Sequence, residues 1–556
     1  MPTTSTTNTN IARYLPLMAA ERPNQVAVLR RLGRDASGQA RYEQLSFAEL
    51  HRSSDAYARG LTRYGIGAGT RVLLMVPPGL PLIALTFALL KTGCVPILID
   101  PAMGRANLAT CIAESQPEAL IGVPAAHLAR LLFRRACRTI TRTVMVGQRR
   151  GWGIPTLDDL HDNTPEPFAL APTQPDTMAA ILFTSGSTGV PKGVVYEHGM
   201  FEAQVHALRA LYQIAPGEVE MPAFPLFALF NVALGITSAI PEISPTRPAS
   251  CDPAAVVELI RDRQVTSSFG SPAIWNRVTR YCLDEQIRLP SLRRVLMAGA
   301  PVPLILHERF AQILAPEADT HTPYGATEAL PVASASGRAI LAAMRERADP
   351  TAGTCVGWPV PTVTLRIIPI SDEPIAQWND ALALPPGSVG EIVVRGPMVT
   401  RAYVNRPQSN LLAKIADGDA VWHRMGDLGA LDEQGRLWFY GRKSQRVQLA
   451  SQCLYTEPCE LVFSQHPAVY RAALVGITRG GHRAAAIVIE PQPGQMPRTT
   501  AAQARFTREL LALGAAHACT RPIQTVLFHP SFPVDIRHNA KIFREQLALW
   551  AQKHVK

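Results

Sequence analysis

The stretch ILFTSGSTGVPKGVVYEHG, residues 181–199, is the least ordinary passage of the chain. An apolar run ends in a loop of Gly, Ser and Thr carrying one lysine, Lys192, and β-branched residues follow. The apolar flanks read as strands, so the loop is a strand-to-strand connection held by a sheet. Gly exposes backbone N–H groups, Ser and Thr add hydroxyls, and a lysine adds a point charge, which together suit phosphate oxygens. The loop is not a Walker A element, because Lys192 lies between Pro191 and Gly193 and no Ser or Thr follows it. Nor does GSTG have the glycine spacing of a dinucleotide-binding turn.

Working outward, short apolar runs ending in small residues recur at 72–76, 96–100, 119–124, 143–147, 179–185, 265–271 and 293–300. Helical patterns alternate with them, as in LSFAELHRSSDAYARGLTRYGIGAG (45–69), which ends in a glycine stop. This alternation predicts an α/β fold with mostly parallel sheets and ligands beyond the carboxyl ends of the strands. VLLMVPPGLPLIALTFALL (72–90) has the length of a membrane span. Its prolines and glycine divide it into strand, loop and buried helix instead. From about residue 350 to 442 the texture becomes β-rich. After Lys443 a new α+β unit begins, with a helix near 457–464, strands at 472–477 and 484–490, and a helix after Thr500. The expected division is therefore 1–442, a core of layered α/β subdomains, and 443–556, a smaller mobile C-terminal domain hinged near 442–445.

Composition narrows the function class. The chain has 556 residues, 47% hydrophobic and 18% charged, which is the profile of a folded protein of several subdomains. Its formal charge is +11, with arginine clusters in RRACRTITR (134–142) and GQRRGW (147–152). That charge fits anionic substrates or an association with a membrane surface. No nucleic-acid motif accompanies it, so no nucleic-acid partner is expected. The nine cysteines form no CxxC pair and read as reduced core residues. The polar N-terminus lacks the layout of a signal peptide, and a cytoplasmic protein is expected.

TSGSTGVPKG (184–193) resembles the signature of the acyl-adenylate-forming superfamily, and the resemblance extends over most of the chain. It continues in LKTGCVPILID (90–100), MAGAPV (297–302), TPYGATE (322–328), GEIVVRGP (390–397), HRMGDLG (423–429), GRK (441–443) and DIRHNAKIFR (535–544). The resemblance implies an enzyme using ATP and Mg²⁺ to adenylate a carboxylate. It assigns Thr184, Ser185, Gly186, Ser187, Thr188, Gly189 and Lys192 to the leaving phosphates, Thr327 to the α-phosphate and Glu328 to Mg²⁺. Gly299, Ala300 and Pro301 would shape the adenine slot, with Tyr324 and Gly325 beside it and Tyr324 stacking on the base. Asp427 and Arg442 would hold the ribose, and Lys541 would bridge the carboxylate and ATP.

Most members pass the acyl group to a thiol, and here the sequence departs from them. Ser444 replaces the usual hinge Asp or Lys, and QLASQCL (448–454) has Ser451 where a glycine usually stands. FPLFALFNVALGITSAIPEISPTRPA (224–249) carries Ala228 in place of a frequent histidine. In these features the chain closely resembles the β-lactone synthetases of bacterial long-chain olefin biosynthesis. That resemblance implies a long-chain 2-alkyl-3-hydroxy fatty acid substrate, whose own hydroxyl displaces AMP. It also implies partner enzymes of that pathway: a thiolase-like condensing enzyme, a short-chain reductase and an α/β-hydrolase-like decarboxylase. An acyl pocket of Phe227, Phe230 and Phe269 is expected. The group that takes the hydroxyl proton is left open: His321, His423 and His538 stand in motif-like passages, where a histidine is more often structural than catalytic. A long-chain acyl-CoA ligase or an acyl-AMP ligase remains the alternative.

Overall fold

The computed structural model describes residues 8–100, 103–148, 153–184, 190–224, 227–244, 247–347, 349–535 and 542–555. A six-stranded sheet is built by Arg142–Met145, Ala119–Gly122, Arg71–Met75, Val95–Leu98, Met178–Phe183 and Gly193–Glu197, in that spatial order. All neighbours are parallel except the last pair, which is antiparallel. Side chains alternate across such a sheet. Val72 and Leu74 therefore pack with Leu61, Leu82 and Leu85 on one face. Leu73 and Leu120 pack with Leu108, Ile112 and Ala126 on the other. Helices Phe47–Arg63 and Leu80–Lys91 cover the first face, and Arg105–Ser115 and Pro124–Leu132 the second. Both faces are covered, which is why these strands read as unbroken apolar runs.

The apolar stretch 72–90 resolves as strand, loop and helix. Ser46 caps the preceding helix in a reciprocal capping box with Glu49. The helix Leu80–Lys91 has 12 residues, about 18 Å at 1.5 Å per residue, well short of a bilayer core. At its end Lys91 is fully buried, its ammonium bonded to Asp55 Oδ1 at 2.5 Å and Ser54 Oγ at 2.7 Å. No helix among the described residues is long and apolar enough to cross a membrane.

A second sheet of 14 strands changes character along its width. In one half, Val26–Arg34, Thr237–Ile240, Val219–Pro222, Ser267–Gly270, Arg294–Met297 and Asp319–Ala326 are parallel neighbours. Their carboxyl ends consequently share one edge. In the other half, Ala329–Ser336, Thr354–Pro359, Leu437–Arg442, Ala420–Leu431, Gly390–Arg395 and Thr364–Ile368 pair antiparallel. The two halves join where Asp319–Ala326 turns back into Ala329–Ser336, with Ala326 facing Ala329 across the turn Thr327–Glu328.

Beyond Arg442 the chain forms a 3₁₀ turn, Lys443–Gln445, and a two-stranded ribbon of Val447–Gln448 with Cys453–Leu454. A three-stranded sheet follows, in which Val469–Arg479 and His482–Pro491 are antiparallel and Thr525–Phe528 is parallel to the second. Helices Thr456–Ser464 and Thr500–Ala515 pack on one face, and Arg544–His554 on the other. This unit meets the antiparallel half through a 2.6 Å bond from Thr354 Oγ1 to Glu457.

Candidate active site

The parallel strands deliver the expected segments to one edge. Phe224 and Phe227 follow Val219–Pro222, Gly299 (φ +89°) to Pro301 follow Arg294–Met297, and Thr327–Glu328 follow Asp319–Ala326. The glycine-rich segment 184–192 joins Met178–Phe183 to Gly193–Glu197 in the six-stranded sheet. Thr184 closes its base twice. Its N–H donates to the Lys192 carbonyl at 3.0 Å, and its Oγ1 accepts from the Lys192 N–H at 3.0 Å. Ser185, Gly186, Ser187, Thr188 and Gly189 lie outside the described residues, as do Lys541 and His538.

The turn Thr327–Glu328 is held by its backbone. Tyr196 Oη donates to the Thr327 carbonyl at 2.6 Å, and the Thr400 N–H and Oγ1 donate to the Glu328 carbonyl at 2.9 and 3.1 Å. Gly325 precedes the turn, where a Cβ would stand 2.5 Å from the Ala329 carbonyl, so only glycine fits. With the backbone fixed, the Glu328 side chain accepts a 2.6 Å bond from Tyr403 Oη.

Two lysines sit over that tyrosine. Lys192 Nζ lies 4.9 Å from the centroid of the Tyr403 ring, and Lys414 Nζ lies 5.6 Å from it. Lys414 also donates to the Thr400 carbonyl and, at 3.3 Å, to Thr400 Oγ1. Although the residue as a whole is half-buried, desolvation lowers its pKa to about 7 against the opposing pull of Glu328. Burial also lowers that of Lys192. Neither Tyr403 nor Lys414 was expected. Tyr403 lies just beyond GEIVVRGP, and Lys414 is an isolated lysine in LLAKIADG with no spacing signal.

A second cluster gathers Tyr324, Asp427 and Arg442. Asp427 and Arg442 are cross-strand partners in the register of Ala420–Leu431 and Leu437–Arg442. The buried Asp427 receives Tyr324 Oη at 2.6 Å and faces Arg442 Nη1 at 3.1 Å. Burial, then the Asp427 carboxylate, raises the Tyr324 pKa well above its ordinary value. The same carboxylate raises that of Arg442. Asp427 therefore presents its charge on a pair of strands, and a carboxylate is a group that can accept from hydroxyl donors.

The three phenylalanines also come together. Phe227 stacks on Phe269 with centroids 3.9 Å apart and lies 6.0 Å from Phe230. Phe230 continues to Phe201 at 6.0 Å, which stacks on Tyr196 at 4.8 Å. One aromatic wall thus runs from the Thr327 carbonyl to the half-exposed Phe224. The two described histidines are tied into packing. His423 Nδ1 donates to the Ala413 carbonyl at 3.2 Å, and burial holds its pKa well below the usual value. His321 packs edge-on against Tyr212 at 5.2 Å, and burial lowers its pKa too.

This arrangement places two ammonium groups and one carboxylate beside a glycine-rich loop, which suits a polyphosphate with a hard divalent cation. Among the described residues there is no group of three or more His, Cys, Asp or Glu side chains that could hold a metal ion. Glu328 would accordingly contribute a single carboxylate, with phosphate oxygens and water completing the shell.

The geometry agrees with what the chain resembles. A family model described as AMP-binding enzyme matches residues 17–404. The olefin beta-lactone synthetase of Xanthomonas campestris pv. campestris is 47% identical over 553 residues, covering 98% of this chain and 98% of that protein. The olefin beta-lactone synthetase of Stenotrophomonas maltophilia is 47% identical over 552 residues, again 98% of each chain. Among solved structures, the amide bond synthetase McbA from Marinactinospora thermotolerans has a TM-score of 0.78 at 24% identity, covering 97% of this chain and 99% of that one. At that identity the structural match speaks for the fold. The match over most of the chain, together with the full-length likeness, makes this protein a member of the AMP-binding enzyme family.

Proposed function

We propose that this chain is an ATP-dependent β-lactone synthetase acting on a long-chain 2-alkyl-3-hydroxy fatty acid. The full-length likeness to the two olefin beta-lactone synthetases carries this reading. In the first half-reaction a carboxylate oxygen attacks the α-phosphorus of ATP, and the bond to the bridging oxygen breaks to release pyrophosphate. Lys192 and the loop 184–189 hold the leaving phosphates, and Lys414 adds charge from behind Thr400. Gly299–Pro301 and the Tyr324 ring take the adenine, while Asp427 and Arg442 take the ribose. Lys541 neutralises charge between acid and nucleotide, and Thr327 contacts the α-phosphate. Mg²⁺ on Glu328 would neutralise phosphate charge.

In the second half-reaction the substrate's 3-hydroxyl oxygen bonds to the acyl carbon, AMP departs, and the hydroxyl proton passes to solvent or a base. Holding hydroxyl and adenylate in one pocket gives a high effective concentration, which offsets part of the ring strain. The wall of Phe227, Phe230 and Phe269 suits the alkyl chains. Ser444 at the hinge and Ser451, which does not adopt the positive φ open to glycine, favour this internal acceptor over a thiol. The unit from residue 443 would turn about 442–445 during the cycle. We place the enzyme in the cytoplasm, among the condensing, reducing and decarboxylating enzymes of olefin synthesis.

The test is incubation with ATP, Mg²⁺ and a synthetic 2-alkyl-3-hydroxy acid without any thiol, with the product identified by mass and NMR. The β-lactone is expected. Strict dependence on CoA would overturn the proposal in favour of an acyl-CoA ligase.

A further inference from the structure

The arginine clusters of the sequence are left unused by the site. From Ala119 to Leu157 the chain holds seven arginines and not one Asp or Glu. The helix Pro124–Leu132 and the turn after it occupy the middle of this segment. The helix buries Ala126 and His127 against the sheet and turns Leu128, Leu131 and Leu132 outward, 52%, 56% and 76% exposed. These three lie at i, i+3 and i+4 and so form one stripe. A helix on a soluble protein normally puts polar residues on that side, and here the outer side is the apolar one.

The surroundings extend the pattern. An open groove of about 700 Å³ lies beside the stripe, lined by Ala109, Ala113, Leu132 and Phe133. Arg134, Arg135 and Arg138 line it as well, and all three are exposed. Among the described residues none of the three forms an ion pair, and the nearby Glu114 carboxylate is already taken by Arg406. The helix connects the two outermost strands of the six-stranded sheet, at the edge opposite the pair that carries the phosphate-binding loop. A surface engaged here leaves that loop clear.

We propose that this face docks on an anionic phospholipid bilayer, the leucine stripe entering the acyl boundary and the arginines meeting the headgroup phosphates. Charge complementarity selects this occupant. The exposed stripe is apolar, and the groove beside it carries a single sign of charge. A long-chain acid partitions into the same bilayer, so docking would bring enzyme and substrate together. The docking itself rests on the surface alone and not on the assigned reaction.

The test is co-sedimentation of the full chain with phosphatidylcholine vesicles, with and without a third phosphatidylglycerol. Binding is expected only with phosphatidylglycerol and should fall as salt rises. The triple variants L128Q/L131Q/L132Q and R134Q/R135Q/R138Q should each weaken it by roughly tenfold to a hundredfold. Both should keep wild-type circular dichroism and ATP–pyrophosphate exchange with a water-soluble acid. Binding indifferent to lipid charge, or to both variants, would overturn the proposal. So would a solution dimer that the leucine variant dissociates while wild type ignores vesicles, since the face would then be a contact between copies.

Discussion

Replacing Tyr403 with phenylalanine removes one hydroxyl and leaves the ring that faces Lys192 and Lys414. The lost interaction is the 2.6 Å bond to the Glu328 carboxylate. A hydrogen bond to a charged group contributes about 1.5–3 kcal/mol, which corresponds to roughly a tenfold to hundredfold effect. Glu328 would keep its backbone bonds to Thr400 but lose the constraint on its side chain. The expected outcome is a Mg²⁺ requirement for ATP–pyrophosphate exchange raised by roughly tenfold or more, together with a loss of about 1.5–3 kcal/mol in the unfolding free energy of the free protein. Glu328→Gln supplies the control. In that background the carboxylate is gone, so adding Tyr403→Phe should cost far less than it does alone. If the two substitutions contribute independently, or if Tyr403→Phe leaves the Mg²⁺ dependence unchanged, then Tyr403 does not act through Glu328 and the reasoning fails.

Asp427→Ala should weaken ATP binding by at least roughly tenfold in calorimetry, since it removes the carboxylate shared by Tyr324 and Arg442. Lys414→Met should abolish a rise in the stability of the free protein between about pH 7 and about pH 10 that the wild type shows in urea unfolding. The sign follows because the folded-state pKa of about 7 lies below the ordinary lysine value, so the unfolded chain binds more protons between them and stability rises with pH there. A wild-type stability flat across that range would contradict it. Gly441→Ala should destabilise by about 2 kcal/mol or more, because φ is +117° and a Cβ would fall 2.0 Å from Thr456 Oγ1. Lys541→Ala should abolish carboxylate-dependent exchange while leaving the melting temperature in place.

Local pattern was enough to locate most elements. The run AAILFTS became the strand Met178–Phe183, and the helix expected within 45–69 spans Phe47–Arg63 before Gly65, at φ +86°. Small residues mark strand ends because the chain must turn there above a sheet. What the sequence did not reveal is that the β-rich part and the second parallel half form one continuous sheet. That continuity depends on pairings such as Ser334 with Trp358 and Val28 with Ser238, between residues far apart in the chain. The three motifs that hold Asp427, Arg442 and Tyr324 are distinctive in the sequence, and the fold brings these residues together. Tyr403 and Lys414 stand in no such motif, since their importance comes only from folding against Glu328. His321 and His423 fit the structural reading of their passages. Both stand in motif-like passages, and each is held by packing.

The switch from parallel to antiparallel pairing at Thr327–Glu328 has an engineering consequence. The phenylalanine wall is displayed by the strand Ser267–Gly270 and the connection 223–236 of the parallel half, whereas Asp427 and Arg442 are mounted on the antiparallel meander across the junction. Exchanging the connection 223–236 between relatives with different acyl preferences should therefore retune which acids are accepted without disturbing the nucleotide grip. The hairpin at Thr327–Glu328 thus separates the aromatic wall from the Asp427–Arg442 pair, so that either can be altered while the strands beneath the other stay in place.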